Sequence, residues 1–271
     1  MERYSTGSVV SKDGTIIGYR QVGHGPAVIL LHGAMESAQS HMQVAQALAD
    51  RFTIYLPDRR GRGLSGPYRE DHSIETDVQD MAALLAKTGA HDVMGVSSGA
   101  IIWLQAALTL PGIRKAVIFE PPLPINGSLP TAFMHRYDTE IEQGEVAAAL
   151  VSAMKGTLMG PPIFNVIPRT LLERLTTAMM ASEEKKAGSQ FQLATEMHGA
   201  LERFKGIRAE VLLLGGSKSP AYLKAGLDAL EKVLPHVTRV ELPGLGHGAT
   251  GNSDRGGRPE RAAQVLRQFF G

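Results

Sequence analysis

The chain of 271 residues has no cysteine. Disulfides, thiolate zinc sites, iron–sulfur clusters and a cysteine nucleophile are therefore excluded. An excess of one charge is also lacking, because 28 basic and 27 acidic residues leave a net charge of +1. Without a basic face there is no electrostatic footprint for nucleic acid, and none is expected as a partner. No apolar run approaches a membrane span, and Met1-Glu2-Arg3-Tyr4-Ser5 opens without the apolar stretch of a signal peptide. The expectation is a cytoplasmic protein without membrane attachment, monomeric or homodimeric. Neither a G-x-x-x-x-G-K-[ST] phosphate loop nor an H-E-x-x-H zinc helix is present, and no metal or organic cofactor is expected. Tryptophan occurs once, as Trp103 within an apolar helical stretch, where core packing is its expected role.

What is present is enough apolar material for a real core: 43% of residues are hydrophobic and 20% charged. Strand and helix signals alternate. Thr6 to Ser11 and Thr15 to Val22 flank Asp13-Gly14 as a hairpin. Ala27 to Leu31, Phe52 to Leu56, Asp92 to Val96, Arg114 to Phe119, Val211 to Leu214 and Val237 to Leu242 read as strands. Ala38 to Ala49, Ile74 to Ala86, Ala100 to Leu110, a stretch from Ser219-Pro220 with Leu223, Leu227, Leu230 and Leu234 on one face, and Pro259 to Phe270 read as helices. Such alternation predicts an α/β fold: a mostly parallel sheet with helices on both faces and right-handed crossovers. After Glu120 the rhythm gives way to a proline-punctuated stretch with helices and no strand. The expected division is a core of residues 1–120 and 206–271 with a helical cap, or lid, of residues 121–205 inserted after the strand that follows the nucleophile helix. Ligands of such sheets bind beyond the carboxyl ends of the strands.

Gly95-Val96-Ser97-Ser98-Gly99 fits G-x-S-x-G with a strand before it and a helix after it. The turn must be tight enough to lift the Ser97 hydroxyl out of the sheet, and the small neighbours permit that. The helix that begins there aims free N–H groups at a developing negative charge, so the Ser98 N–H is a candidate oxyanion donor. An ordinary small-residue turn would explain the bare pattern, but not its place between strand and helix.

With Ser97 placed, three further motifs in order give the chain a resemblance to the α/β-hydrolase superfamily. His32-Gly33-Ala34 resembles its oxyanion turn, Asp58-Arg59-Arg60-Gly61-Arg62-Gly63-Leu64-Ser65 its D-x-R-G-x-G-x-S loop, and Gly246-His247 its catalytic-histidine loop. Around Ser97-Ser98-Gly99-Ala100 the chain is locally similar to zearalenone lactonases. The resemblance implies a Ser97 nucleophile, a His247 base and a second oxyanion donor in the Ala34 N–H, with His32 orienting that turn. The other histidines (His24, His41, His72, His91, His135, His198 and His236) read as surface or lid residues.

The acid departs from the common pattern. Where the family usually has an aspartate after the strand Val211 to Leu214, this chain has Ser219, which reads as a helix N-cap before Pro220. The resemblance offers a second acid position, after the strand that follows the nucleophile helix, and Glu120 stands there. Pro121 and Pro122 force extended backbone at that exit. A surface charge at a strand end is the plainer account of Glu120; Asp254 and Glu241 occupy neither acid position. The expected catalytic set is Ser97, His247 and Glu120.

Gly61-Arg62-Gly63-Leu64-Ser65-Gly66 matches the dinucleotide G-x-G-x-x-G, but Pro67 and Tyr68 follow it and no helix opens there. Arg59, Arg60 and Arg62 read as ties to neighbouring carboxylates. Leu123, Phe133, Met134, Tyr137, Met154 and Phe164 of the insertion, with His32 and Met35, are candidates to line an apolar substrate pocket, although packing between lid helices would also account for the insertion residues. The expected function is serine-dependent hydrolysis of a small to medium, largely apolar carboxylic ester or lactone. The alternatives on the same fold are a C–C bond-cleaving or a non-hydrolytic enzyme, and a catalytically silent protein that binds a small ligand.

Overall fold

The computed structural model describes residues 4–69, 71–125, 127–128, 132–157, 166–180, 199 and 201–271. Eight strands form one sheet: β1 (Ser5–Val10), β2 (Ile16–Gly23), β3 (Ala27–Leu31), β4 (Thr53–Pro57), β5 (Asp92–Val96), β6 (Lys115–Phe119), β7 (Glu210–Gly216) and β8 (Val237–Leu242). Their spatial order is β1-β2-β4-β3-β5-β6-β7-β8. The hairpin β1–β2 and the pair β2–β4 are antiparallel, and every later pairing is parallel. The mostly parallel α/β fold read from the alternation is therefore the fold observed.

The central strands are apolar on both faces because helices cover both. Ile29, Leu31, Val93, Ala116, Ile118, Val211 and Leu213 face one core, shared with helices α2 (Ile74–Thr88), α3 (Ser98–Thr109) and α7 (Ala221–Val233). Val28, Leu30, Met94, Val96, Val117, Phe119, Leu212 and Leu214 face the other, against α1 (Met42–Leu48) and α8 (Pro259–Phe270). The alternation of neighbours along each strand is the period of two that a pleated backbone imposes. Leu223, Leu227, Leu230 and Leu234 all enter the first core, as their spacing predicts, and so does Trp103, whose indole N–H donates to the Met94 carbonyl at 3.0 Å. The segment expected as a helix from Ala38 begins instead as a 3-10 turn, Ala38–His41, before α1.

Between β6 and β7 lie α4 (Met134–Glu142), α5 (Val146–Gly156) and α6 (Arg169–Met180), then a 3-10 turn, Leu201–Gly206; no strand occurs there among the described residues. Tyr137, Ala149 and Ala153 form a small core between α4 and α5. The Glu140 carboxylate joins the three helices by accepting from Arg136 at 2.8 Å, Ser152 at 2.7 Å and Arg169 at 2.5 Å. Among the described residues no helix is long and apolar enough to cross a membrane.

Candidate active site

Among the described residues, three other than glycine have positive φ: Met35 at 57°, Ser97 at 54° and Glu120 at 46°. They follow β3, β5 and β6, so all three lie at the carboxyl ends of neighbouring central strands. Backbone strain of this kind costs about 1–3 kcal/mol per residue and is kept where surrounding structure fixes it, commonly at functional sites.

Ser97 has the elbow conformation, with ψ at −119°, immediately before α3. Its backbone N–H donates to the Phe119 carbonyl at 2.8 Å, so the elbow is pinned to β6. The small residues around it are required by close approach: a Cβ on Gly95 would lie 2.6 Å from the Ala100 backbone, and one on Gly99 would lie 2.6 Å from the Leu31 and His32 carbonyl oxygens. The turn after β3 is also close, because a Cβ on Gly33 would lie 3.1 Å from Ser97 Cβ. Among the described residues the backbone N–H groups of Ala34 and Ser98 meet no acceptor. The Ser98 hydroxyl accepts from Arg59 at 2.8 Å, an anchor the sequence did not reveal.

His32 is buried and supports this turn. Its Nε2 accepts from the Arg59 backbone N–H at 3.1 Å, which leaves Nδ1 to donate to the Gly33 carbonyl at 2.8 Å. Burial, reinforced by the Arg59 charge, lowers its pKa to about 3, so the ring is neutral and both nitrogens are committed. It is not available as a base.

Glu120 is fully buried at the exit of β6, and both carboxylate oxygens are used. One accepts from His247 Nδ1 at 2.7 Å, and the other from the Gly216 backbone N–H at 2.6 Å. His247 reaches this position from the loop after β8, with its ring 5.9 Å from that of Phe119. The glycine pair ending β7 makes room: a Cβ on Gly215 would crowd Glu120 Oε1 at 3.0 Å, and one on Gly216 would collide with the Leu245 carbonyl. Gly216 was missed by sequence reasoning; the local signal was Gly215-Gly216 where the usual acid is absent. Ser219 is not the N-cap expected of it. Pro220 occupies that place, and the Ser219 hydroxyl is buried with no partner among the described residues. Asp254 and Glu241 are exposed.

His41 corrects the reading of it as a surface or lid residue, for it is 1% exposed. Its Nε2 faces Glu36 Oε2 at 3.0 Å and its Nδ1 faces the Thr250 carbonyl at 3.0 Å. Both partners only accept, so both ring nitrogens carry protons. Burial opposes that charge, but Glu36 outweighs it and raises the pKa. The same Glu36 oxygen accepts the Gly33 N–H at 2.8 Å, so Glu36 and His41 together join the turn after β3 to the loop that carries His247. His24, His91, His135 and His236 are exposed, His72 is half-buried and pairs with Asp77, and His198 lies outside the described residues.

Of the pocket candidates, Met35, Phe133 and Tyr137 come together in the core of α4 and α5. Met134 and Met154 are half-buried, whereas Leu123 packs into the core against α3 and α7. Phe164 lies outside the described residues. The 61–66 glycine loop closes on itself through a Gly61 N–H to Gly66 carbonyl bond of 2.8 Å, and the next helix starts at Ile74. Among the described residues no group of three or more His, Asp or Glu could hold a metal ion.

The sequence model of the alpha/beta hydrolase family matches residues 28–264. The chain belongs to the alpha/beta hydrolase family. Relatives of this hydrolase include the pimeloyl-[acyl-carrier protein] methyl ester esterase of Xanthomonas oryzae, 27% identical over 233 residues that cover 83% of this chain and 89% of the relative. An alpha/beta hydrolase from Sphaerobacter thermophilus superposes with a TM-score of 0.75 at 27% identity, covering 98% of this chain and 100% of its own. A thermophilic esterase from Thermogutta terrifontis shares the fold at a TM-score of 0.72 and 18% identity, with 98% of both chains covered.

Proposed function

We propose that this hydrolase cleaves a carboxylic ester or lactone through an acyl-enzyme on Ser97, with His247 as base and Glu120 as the acid. The observation that carries the reading is the buried Glu120 carboxylate on His247 Nδ1 at 2.7 Å, beside the strained Ser97 elbow. Glu120 fixes the tautomer, so Nε2 is the nitrogen left to take a proton. Esterases among the relatives support the same reaction class.

In the proposed sequence His247 Nε2 removes the Ser97 hydroxyl proton as Oγ attacks the substrate carbonyl carbon. The oxyanion is met by the unpaired N–H groups of Ala34 and Ser98; losing one such donor costs roughly 10²-fold or more in rate. His247 then passes the proton to the departing alkoxide as the C–O bond breaks. A water molecule, deprotonated by His247, attacks the acyl-enzyme, and the proton returns to Ser97. In a lactone the departing alkoxide remains on the acyl chain. Residues 121–205 form the cap in this reading, and Met35, Phe133 and Tyr137 are the wall where cap and oxyanion turn meet, suited to a small to medium, largely apolar substrate.

The test is intact-mass labelling with a small fluorophosphonate alongside turnover of p-nitrophenyl acetate and butyrate. One stoichiometric adduct, lost together with turnover in Ser97→Ala, is the expected result. Full labelling or full turnover of Ser97→Ala would overturn the assignment.

A further inference from the structure

The loop after β4 carries four charges into the interior, Asp58, Arg59, Arg60 and Arg62, and among the described residues all but one are matched. Asp58 holds Arg20 at 2.6 Å and accepts the Ala38 and Leu64 N–H groups at 2.8 and 3.0 Å. Arg59 pairs with Asp77 at 3.6 Å, and Arg60 with Asp80 at 2.7 Å and Asp13 at 2.6 Å. Glu36 is taken by His41 and the Gly33 N–H. Arg62 is left over. It is 3% exposed, its Nε donates to the Glu36 carbonyl at 3.2 Å, and its Nη1 is buried with no partner among the described residues. Among the described residues no carboxylate pairs with it, contrary to the expectation that each arginine of this loop has one. Burial, reinforced by the Arg59 charge, pulls its pKa below the usual arginine range, against the influence of the Tyr68 and Tyr137 phenols and of Asp58.

A buried cation without a counterion is a costly arrangement, and an anion that arrives from outside relieves it. The position says which anion. Glu36 is the next residue after the strained Met35, and Met35 packs against the cluster of Tyr137, Ala149 and Ala153 between α4 and α5. Arg62 thus stands at the wall proposed for the substrate, one turn of chain from the oxyanion donor. The geometry points to Arg62 as a specificity-determining residue that binds an anionic group, a carboxylate above all, on the acyl chain of the ester. This inference rests on the proposed ester hydrolysis and narrows its substrate to a largely apolar chain with an ester at one end and a negative charge at the other. Guanidinium donors and a carboxylate form the stronger class of hydrogen bond, so the preference it confers is roughly 10- to 100-fold.

The experiment compares monomethyl esters of the straight-chain dicarboxylic acids from succinate to suberate with methyl esters of monocarboxylic acids of equal length. Turnover is followed by methanol release in wild type, Arg62→Met and Arg62→Lys. Wild type is expected to prefer the half-ester at one or two chain lengths by about tenfold or more in kcat/KM. Arg62→Met should lose more on the half-ester than on the neutral ester by about the same factor, and Arg62→Lys should recover part of the preference. Calorimetric binding of the best half-ester to Ser97→Ala, and its loss in Ser97→Ala/Arg62→Met, reads the site without turnover. Equal rates on both ester series at every length, or equal losses on both in Arg62→Met, would overturn the proposal and make Arg62 a strut for the Glu36 carbonyl. Fluorophosphonate labelling of the same samples separates the cases: a labelled Ser97 with no preference sinks the anion site alone, whereas an unlabelled Ser97 with neither ester cleaved sinks the serine reading and this proposal with it.

Discussion

Glu120→Gln tests the proposed acid with almost no change of shape. The amide can sit in two orientations. In one, its oxygen accepts the Gly216 N–H, as Glu120 Oε1 does at 2.6 Å, and its NH₂ faces His247 Nδ1. The ring must then accept at Nδ1 and carry its proton on Nε2, where the base is needed. In the other, the oxygen faces His247 and the NH₂ meets the Gly216 N–H donor to donor in a fully buried place, leaving that N–H unpaired at about 1–3 kcal/mol. The first orientation is therefore favoured, and it locks the unproductive tautomer. The comparable Asp-to-Asn change in a serine protease costs about 10⁴ in kcat, so a loss of roughly 10³ to 10⁴ is expected here. That is about 4–5.5 kcal/mol of transition-state stabilisation. The assay is steady-state hydrolysis of p-nitrophenyl butyrate, with circular dichroism to verify folding; KM should move little, since Glu120 is shielded by His247. A folded Glu120→Gln that keeps more than about a tenth of wild-type kcat would refute the tautomer argument.

Ser219→Ala should leave turnover within about twofold and stability unchanged or slightly higher, because it deletes a buried hydroxyl that has no partner; kinetics and a melting curve check both. Gly216→Ala should lower the melting temperature by several degrees, from about 1–3 kcal/mol of overpacking against the Leu245 carbonyl, and should cut kcat as the His247 loop shifts. The Glu36–His41 pair predicts two pH limbs in the stability of the wild type. His41 is raised above its ordinary 6.5, so its contribution is complete below pH 6.5 and fades as pH rises through the higher folded value. Burial would raise Glu36, but the His41 charge outweighs it and holds the carboxyl at about 2, so that contribution is present above pH 4.5 and lost toward pH 2. Melting curves of Glu36→Gln across pH should lack both limbs; identical pH dependence in variant and wild type would sink the pairing.

The sheet was legible because its strands announce themselves twice, by apolar runs and by the helices between them. Ser97 was legible because a tight strand-to-helix turn needs small residues at fixed offsets. Glu120 could be named only through a family position, since nothing local distinguishes it from a charge at any strand end; its companion Gly216 lies 96 residues away. Glu36 and His41 escaped notice for a related reason. A carboxylate that accepts from a backbone N–H and an imidazole at once leaves no periodic trace, and a histidine just before an apolar helix reads as solvent-facing. The arginines of the 59–62 loop showed the opposite failure. Their common spacing suggested a common role, but whether a carboxylate stands opposite each is decided by tertiary packing, and opposite Arg62 none does among the described residues.

The register of β5 and β6 pairs Val96 with Phe119, so Ser97 and Glu120 are successive residues on two strands already hydrogen-bonded side by side. The proposed nucleophile and acid are thereby mounted on one stiff plate at the centre of the sheet. The histidine alone comes from a loop, and alignment of the proposed machinery reduces to the placing of that loop. Sequence drift in the turn between β7 and α7, freed from carrying the acid, would cost such an enzyme little beyond its two glycines.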